Sequence, residues 1–171
     1  MVKQTKELKS YITGVVLFTA ETLSMLDLVQ QAVRRGANLC GAYMRGANLC
    51  GADLRGADLR GANVENTKWP APSIVLLVDW GVLSNQLTAD LMYLDAQNHP
   101  NPTTFDSWAN GGACPYVGVN VQRMAQFTEQ KELWGQGKAD TILSLMTRVL
   151  AEKCPAWTNA QKEEFEEKFS K

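Results

Sequence analysis

Between residues 37 and 66 the apolar positions recur every five residues, in the run ANLCG AYMRG ANLCG ADLRG ADLRG ANVEN. Alanine holds the first place of every unit, at Ala37, Ala42, Ala47, Ala52, Ala57 and Ala62. A large apolar residue holds the third, at Leu39, Met44, Leu49, Leu54, Leu59 and Val64. Glycine holds the fifth from Gly41 to Gly61. A period of five is neither helical nor a strand alternation. Two inward places in every five predict a coil with one unit per side. The small alanine fits where the walls crowd, the large residue fills the axis, and glycine turns the corner where a Cβ would obstruct the backbone. So few units cannot stand alone, so the flanking segments are expected to cover the two open ends.

On the N-terminal side, Tyr11-Ile12 and Val15 to Phe18 flank Thr13-Gly14, which predicts a β-hairpin. A helix follows, opened by Thr22 or Ser24 and closed by Gly36. Leu23, Leu26, Val29 and Val33 line its apolar face. Residues 1–36 thus read as a cap, and 37–71 as the repeat. The latter includes a degenerate seventh unit, Thr67-Lys68-Trp69-Pro70-Ala71, with Trp69 in the large apolar place. Residues 72–171 predict a mainly helical region. Its expected elements are a strand at Ser73–Val78 closing the coil, a helix at Val82–Asn98 and a short helical turn at Thr104–Ala109. A loop at Gly111–Tyr116, partial helix at Val121–Trp134, a helix at Lys138–Lys153 and a solvated helix at Ala160–Lys171 complete it.

The five-residue motif resembles the pentapeptide-repeat family, in which four units make one square turn. The resemblance implies a mixed fold: a short right-handed quadrilateral β-helix of about one and a half turns, an N-terminal hairpin and helix cap, and a mainly α-helical C-terminal region. Stacking units four apart would set Arg60 over Cys40, Glu65 over Arg45 and Asn63 over Tyr43. The front end, with its helix ending AVRRG before ANLCGA, is similar to small pentapeptide-repeat proteins of tailed phages and prophages. The C-terminal stretch around LTADLMYLDAQNHPNP and FDSWANGGACPY has the same likeness.

Charge changes the picture in one respect. The 171 residues carry a formal net charge of −1, which argues against broad electrostatic binding of nucleic acid. The outward charges of the repeat nearly cancel, Asp53, Asp58 and Glu65 against Arg45, Arg55 and Arg60. Such a short, balanced surface suits poorly the DNA mimicry by which longer members of the family inhibit topoisomerases. Four cysteines without a C-x-x-C pair point to no zinc site and no disulfide framework, so neither metal nor cofactor is expected. Free thiols fit a reducing cytosol, which the phage resemblance makes the bacterial cytoplasm. The longest apolar run, Ile74 to Val78, is too short to cross a membrane, and the N-terminus has no continuous apolar leader.

Candidate chemistry is sparse. Cys114 lies in a glycine-rich turn next to Tyr116, with the single histidine, His99, upstream, and a thiolate–imidazole pair would be nucleophilic. The competing reading is a small packed cysteine, and no protease signature surrounds it. The expectation is therefore a non-enzymatic interaction protein, phage-encoded by resemblance. It would bind a host or phage protein through outward residues of the repeat such as Tyr43, Arg45, Arg55 and Arg60. Small-molecule capture between the repeat and the C-terminal helices, topoisomerase inhibition and a Cys114-dependent enzyme are the alternatives. The family resemblance also leaves room for a homodimer through a terminal cap, with Trp157, Phe165 and Phe169 as its patch.

Overall fold

A computed structural model describes residues 2–115, 124–154, 163 and 167–169. It opens with an antiparallel hairpin of β1 (Gln4–Lys9) and β2 (Val16–Thr22). The first strand lies earlier than the sequence suggested. Tyr11 and Ile12 belong to the turn, where Gly14 takes a positive φ of 71°. Helix α1 (Met25–Arg34) follows. The Ser24 hydroxyl accepts the Asp27 N–H at 3.1 Å, satisfying one of the helix's free donors. Gly36 ends it in a Schellman arrangement, with the Ala37 N–H donated to Ala32 O at 2.9 Å and the Gly36 N–H to Val33 O at 3.0 Å. Leu28, Val29 and Ala32 are buried, whereas Leu23 precedes the helix and is exposed.

The quadrilateral β-helix expected for residues 37–71 is not what the chain forms. This segment holds no β-strand, and among the described residues the sole sheet is the two-stranded β1–β2 hairpin. The pentads are instead consecutive tight turns. In the first five, the third-place carbonyl accepts the N–H of the next alanine, as in Ala42 to Leu39 at 2.9 Å and Ala57 to Leu54 at 3.0 Å, and in the sixth Val64 O accepts the Thr67 N–H at 3.1 Å. Glycine fills the third position of these turns with φ near +70°, the conformation a type II turn requires, as at Gly41 (67°) and Gly46 (69°). Asn66 holds the same place in the sixth unit at φ 56°. In five of the six units the second-place side chain tightens the turn: Asn38, Asn48, Asp53, Asp58 and Asn63 each accept the N–H two residues on.

So much of each unit is spent on turning that at most one residue per unit is left for pairing with a later turn of the chain. The pairs are isolated parallel bridges, Tyr43 with Asn63 and Asn48 with Lys68, always at the second place. Longer-range bonds such as Met44 N–H to Asn63 O (2.8 Å) and Lys68 N–H to Ala47 O (2.9 Å) bind the turns together. Leu39, Met44, Leu49, Leu54, Leu59, Val64 and Trp69 are buried, as are Ala42, Ala47, Ala52 and Ala57, while Ala37 and Ala62 are partly buried.

Both ends are covered. On one, Ser10 bridges Ala42 in antiparallel sense, the Tyr43 N–H is donated to Lys9 O at 2.8 Å, and the Tyr11 N–H to Gly41 O at 2.9 Å. On the other, the expected strand at 73–78 is a one-turn helix, α2 (Pro72–Val75). Pro72 sits in its first turn, where a missing N–H costs nothing. Beyond it, Asp79 bridges Asp58. That spacing is one residue longer than the other two bridges, because the helical turn adds a residue. Asp79 then accepts the Gly81 N–H at 2.8 Å, repeating the second-place turn of the pentads.

The remainder is α3 (Asn85–Asn98), α4 (Thr104–Ala109), α5 (Met124–Glu129), a 3₁₀ turn at Lys131–Leu133 and α6 (Ile142–Lys153). Two helices start later than the sequence pattern suggested, α3 at Asn85 rather than Val82 and α6 at Ile142 rather than Lys138. Val82 is exposed, and the Thr141 hydroxyl accepts the Ser144 N–H to open α6. Helix α6 packs on α2 and α3. One continuous core runs from Leu8 through the pentads to Leu87, Met92, Leu145 and Leu150.

Candidate interaction surface

The outward residues of the repeat divide into two kinds. The arginines are engaged by neighbouring carboxylates. Arg55 grips Asp53 through Nε and Nη2 at 2.8 and 2.6 Å, and Arg60 grips Asp58 at 2.9 and 2.7 Å. Arg45 meets Glu65 at 3.1 Å. The Arg55 guanidinium holds the Asp53 carboxyl down at about 2, and Arg60 lowers that of Asp58 in the same way. These pairs lie at the surface, where such contacts contribute little to stability. Chemically they neutralise the repeat locally, unit by unit.

Tyr43 is of the other kind. It occupies a second place where the other units carry Asn, Asp or Lys, and its side chain stands out with 46% exposure. Its N–H bond to Lys9 O, and the bond from the Tyr11 N–H to Gly41 O two residues before it, place it beside the hairpin turn. That turn exposes Tyr11 (46%), Ile12 (71%) and Val15 (61%). The backbone here is firmly built. The Ser10 N–H is donated to Val15 O at 2.8 Å, and the Ser10 hydroxyl accepts the Ile12 and Thr13 N–H groups. A fixed turn that presents apolar side chains to water is a feature of contact surfaces. The sequence pattern places Tyr11, Ile12 and Val15 in the strands that flank Thr13-Gly14. Their one distinguishing signal was their place against Thr13-Gly14, which makes them turn residues.

The loop candidates are arranged differently. His99 caps the end of α3, and its ring faces backbone on both sides. Nδ1 lies 3.0 Å from the Asn101 N and 2.9 Å from Asn101 O, and Nε2 lies 3.0 Å from Pro115 O. The ring also meets Phe105 edge-on at 5.6 Å, and Phe105 stacks on Trp134 at 5.2 Å. His99 therefore ties the 111–115 loop to the aromatic cluster. Cys114 is half-buried and packs against the core, whereas Tyr116 lies outside the described residues. Cys154, at the end of α6, is buried, and burial pushes its thiol up to about 12, which makes it a poor nucleophile.

An open cleft of about 270 Å³ lies between the sixth pentad and the end of α6, lined by Tyr11, Ala62, Val64, Glu65, Lys153 and Cys154. Among the described residues no three His, Cys, Asp or Glu side chains converge as a metal site would need. No described helix is long and apolar enough to cross a membrane. Trp157 and Phe165 of the expected dimer patch lie outside the described residues, while Phe169 packs partly buried against the core.

Residues 35–68 match the family model described as pentapeptide repeats (8 copies). No curated protein and no solved structure matches the chain.

Proposed function

We propose that this chain is a non-enzymatic interaction protein whose pentapeptide-repeat segment and N-terminal hairpin together form the docking face for another protein. Residues 35–68 carry a repeat that suggests a protein-interaction role, and that is the starting point. The observation that carries the reading is the exposed apolar set Tyr11, Ile12 and Val15, held on a hydrogen-bonded turn at the edge of the repeat, with Tyr43 of the second pentad beside it. Aromatic and aliphatic anchors on a rigid backbone suit a contact site, since little side-chain freedom is lost on binding. The reading extends to a phage-encoded protein acting on a host or phage partner in the bacterial cytoplasm. The likeness of the front end and of the C-terminal stretch to phage proteins supports that extension.

The test is affinity capture from bacterial lysate with the intact chain, read by mass spectrometry, beside Ile12→Asp/Val15→Asp and Tyr43→Ala variants. The substituted side chains are exposed, so the variants should fold and keep their circular dichroism. Loss of one stoichiometric partner in these variants, with retention in Arg55→Ala, is the expected result. A partner retained by all variants would overturn the assignment of the face.

A second reading, capture of a small molecule, is favoured by the cleft between the sixth pentad and α6. Ligand-induced thermal shifts in a metabolite screen, lost on Ala62→Leu, would move weight to it.

A further inference from the structure

The first and third pentads have the same sequence, ANLCG, and so place Cys40 and Cys50 at equivalent positions. In both, the cysteine N–H is donated to the asparagine two residues back, at 2.8 Å for Cys40 and 3.1 Å for Cys50. Their surroundings differ. Cys40 is exposed, and the nearby Arg60 side chain is committed to Asp58. Cys50 is half-buried, with its sulfur 3.5 Å from Trp69 O and 3.3 Å from the Nζ of Lys168. Lys168 stands 118 positions further along the chain, beside Phe169, which packs on the core. A thiol and a primary amine 118 positions apart in the sequence are thus in contact. The Lys168 amine is a nucleophile when deprotonated, whereas a guanidinium beside the twin cysteine is not.

We propose that Cys50 and Lys168 form a modification site, a redox-responsive cross-link that tethers the 167–169 segment to the third pentad. The oxidant is a hydroperoxide. Its terminal oxygen passes to the Cys50 sulfur, the O–O bond breaks, and sulfenic acid forms with release of one water from hydrogen peroxide. The sulfur loses two electrons and the peroxide gains them. The Lys168 ammonium first yields a proton to solvent, and the free amine then attacks the sulfur. The S–N bond forms as the S–O bond breaks, and the departing hydroxide takes a proton from nitrogen to leave as water. Thiol, amine and hydrogen peroxide thus become a sulfenamide and two waters. Thiol reductants reverse the link by attacking its sulfur. The tether would hold the C-terminal segment against the side of the coil that carries Cys50, whatever binds at the hairpin.

The experiment uses the full chain, treated briefly with dilute hydrogen peroxide, quenched, digested with trypsin without reductant and read by mass spectrometry. The expected species is the Gly46–Arg55 peptide joined to the peptide that retains Lys168, lighter by two hydrogens than their sum, with cleavage after Lys168 blocked. Dithiothreitol should release it. Lys168→Arg keeps the charge and should abolish it, while Cys40, in the Gly36–Arg45 peptide of the same sample, should remain unlinked. Sulfinic acid at Cys50 without the joined peptide, or equal cross-linking of Cys40 to lysines, would overturn the proposal.

Discussion

The indole of Trp80 meets that of Trp69 edge-on, with ring centroids 5.6 Å apart and planes at 66°. Trp69 fills the large apolar place of the degenerate seventh pentad. Trp80 fills the corresponding place of a further unit, Val78-Asp79-Trp80-Gly81, which the sequence does not advertise. Asp79 turns the chain there as Asp58 does below it, and the Trp80 Nε1–H is donated to Val75 O at 2.9 Å. The two indoles close the C-terminal end of the apolar axis.

Trp80→Ala should therefore open that end. Removing a buried indole costs ~3–5 kcal/mol, as other buried aromatic truncations do. Trp80→Phe, which keeps a ring but not the bond to Val75 O, should lose about 1–2 kcal/mol. Urea unfolding followed by circular dichroism distinguishes the two. Equal stabilities for both variants and the parent would refute the role of this pair.

Asp90 gives the fold a pH-dependent element. Its side chain is 4% exposed and meets Arg148 at 2.7 Å, and it accepts from Gln86 Nε2 and the Lys138 N–H, both at 2.8 Å. Burial pushes its carboxyl up, but the Lys138 N–H, Arg148 and Gln86 together outweigh that, and the net effect is downward. A carboxyl lowered on folding contributes stability above its unfolded value, about 3.9. That contribution drains away as pH falls below this value and through the folded one. Asp90→Asn should lose ~2–3 kcal/mol at neutral pH, since Arg148 and the Lys138 N–H keep only a neutral acceptor. It should also flatten the dependence of stability on pH on the acid side. An unchanged acid limb in thermal melts from pH 7 downwards would count against the assignment.

Gly137 approaches α3 so closely that a Cβ would fall 2.1 Å from Ala89 O and 2.9 Å from Tyr93 Cβ. A backbone carbonyl inside a helix cannot give way, so Gly137→Ala should cost about 3 kcal/mol through overpacking. Gly46 is the useful contrast. It has open space but φ 69°, so alanine there carries only backbone strain, about 1–2 kcal/mol. Guanidinium titrations of both variants would rank them, and the reverse order would show that the segment at 137 shifts freely.

How much of this was legible beforehand can be argued from particular residues. The burial of Leu39, Leu49 and Leu54 followed from their five-residue period, because only an inward place explains it. Helix α1 was legible from Ser24 and Gly36, and α4 from Thr104 to Ala109. The proposed face was legible at Tyr43, the one bulky aromatic in a second place. It was not at Ile12 and Val15, since apolar residues flanking a turn read equally well as the strands of the hairpin.

The sequence by itself determined which side chains of the repeat face inward and where each unit turns, because alanine size, leucine bulk and glycine's access to positive φ act within five residues. Tertiary structure decided the rest. Whether the units pair as strands depends on how much backbone the turns leave, and here the turns leave at most one bridging residue per unit. Whether Ser73–Val78 extends or coils depends on packing against α6, and the one-turn helix wins. The Asp90–Arg148 contact and the meeting of Cys50 with Lys168 join residues far apart in the chain. No local periodicity encodes such pairs, because they are set by the packing of whole elements.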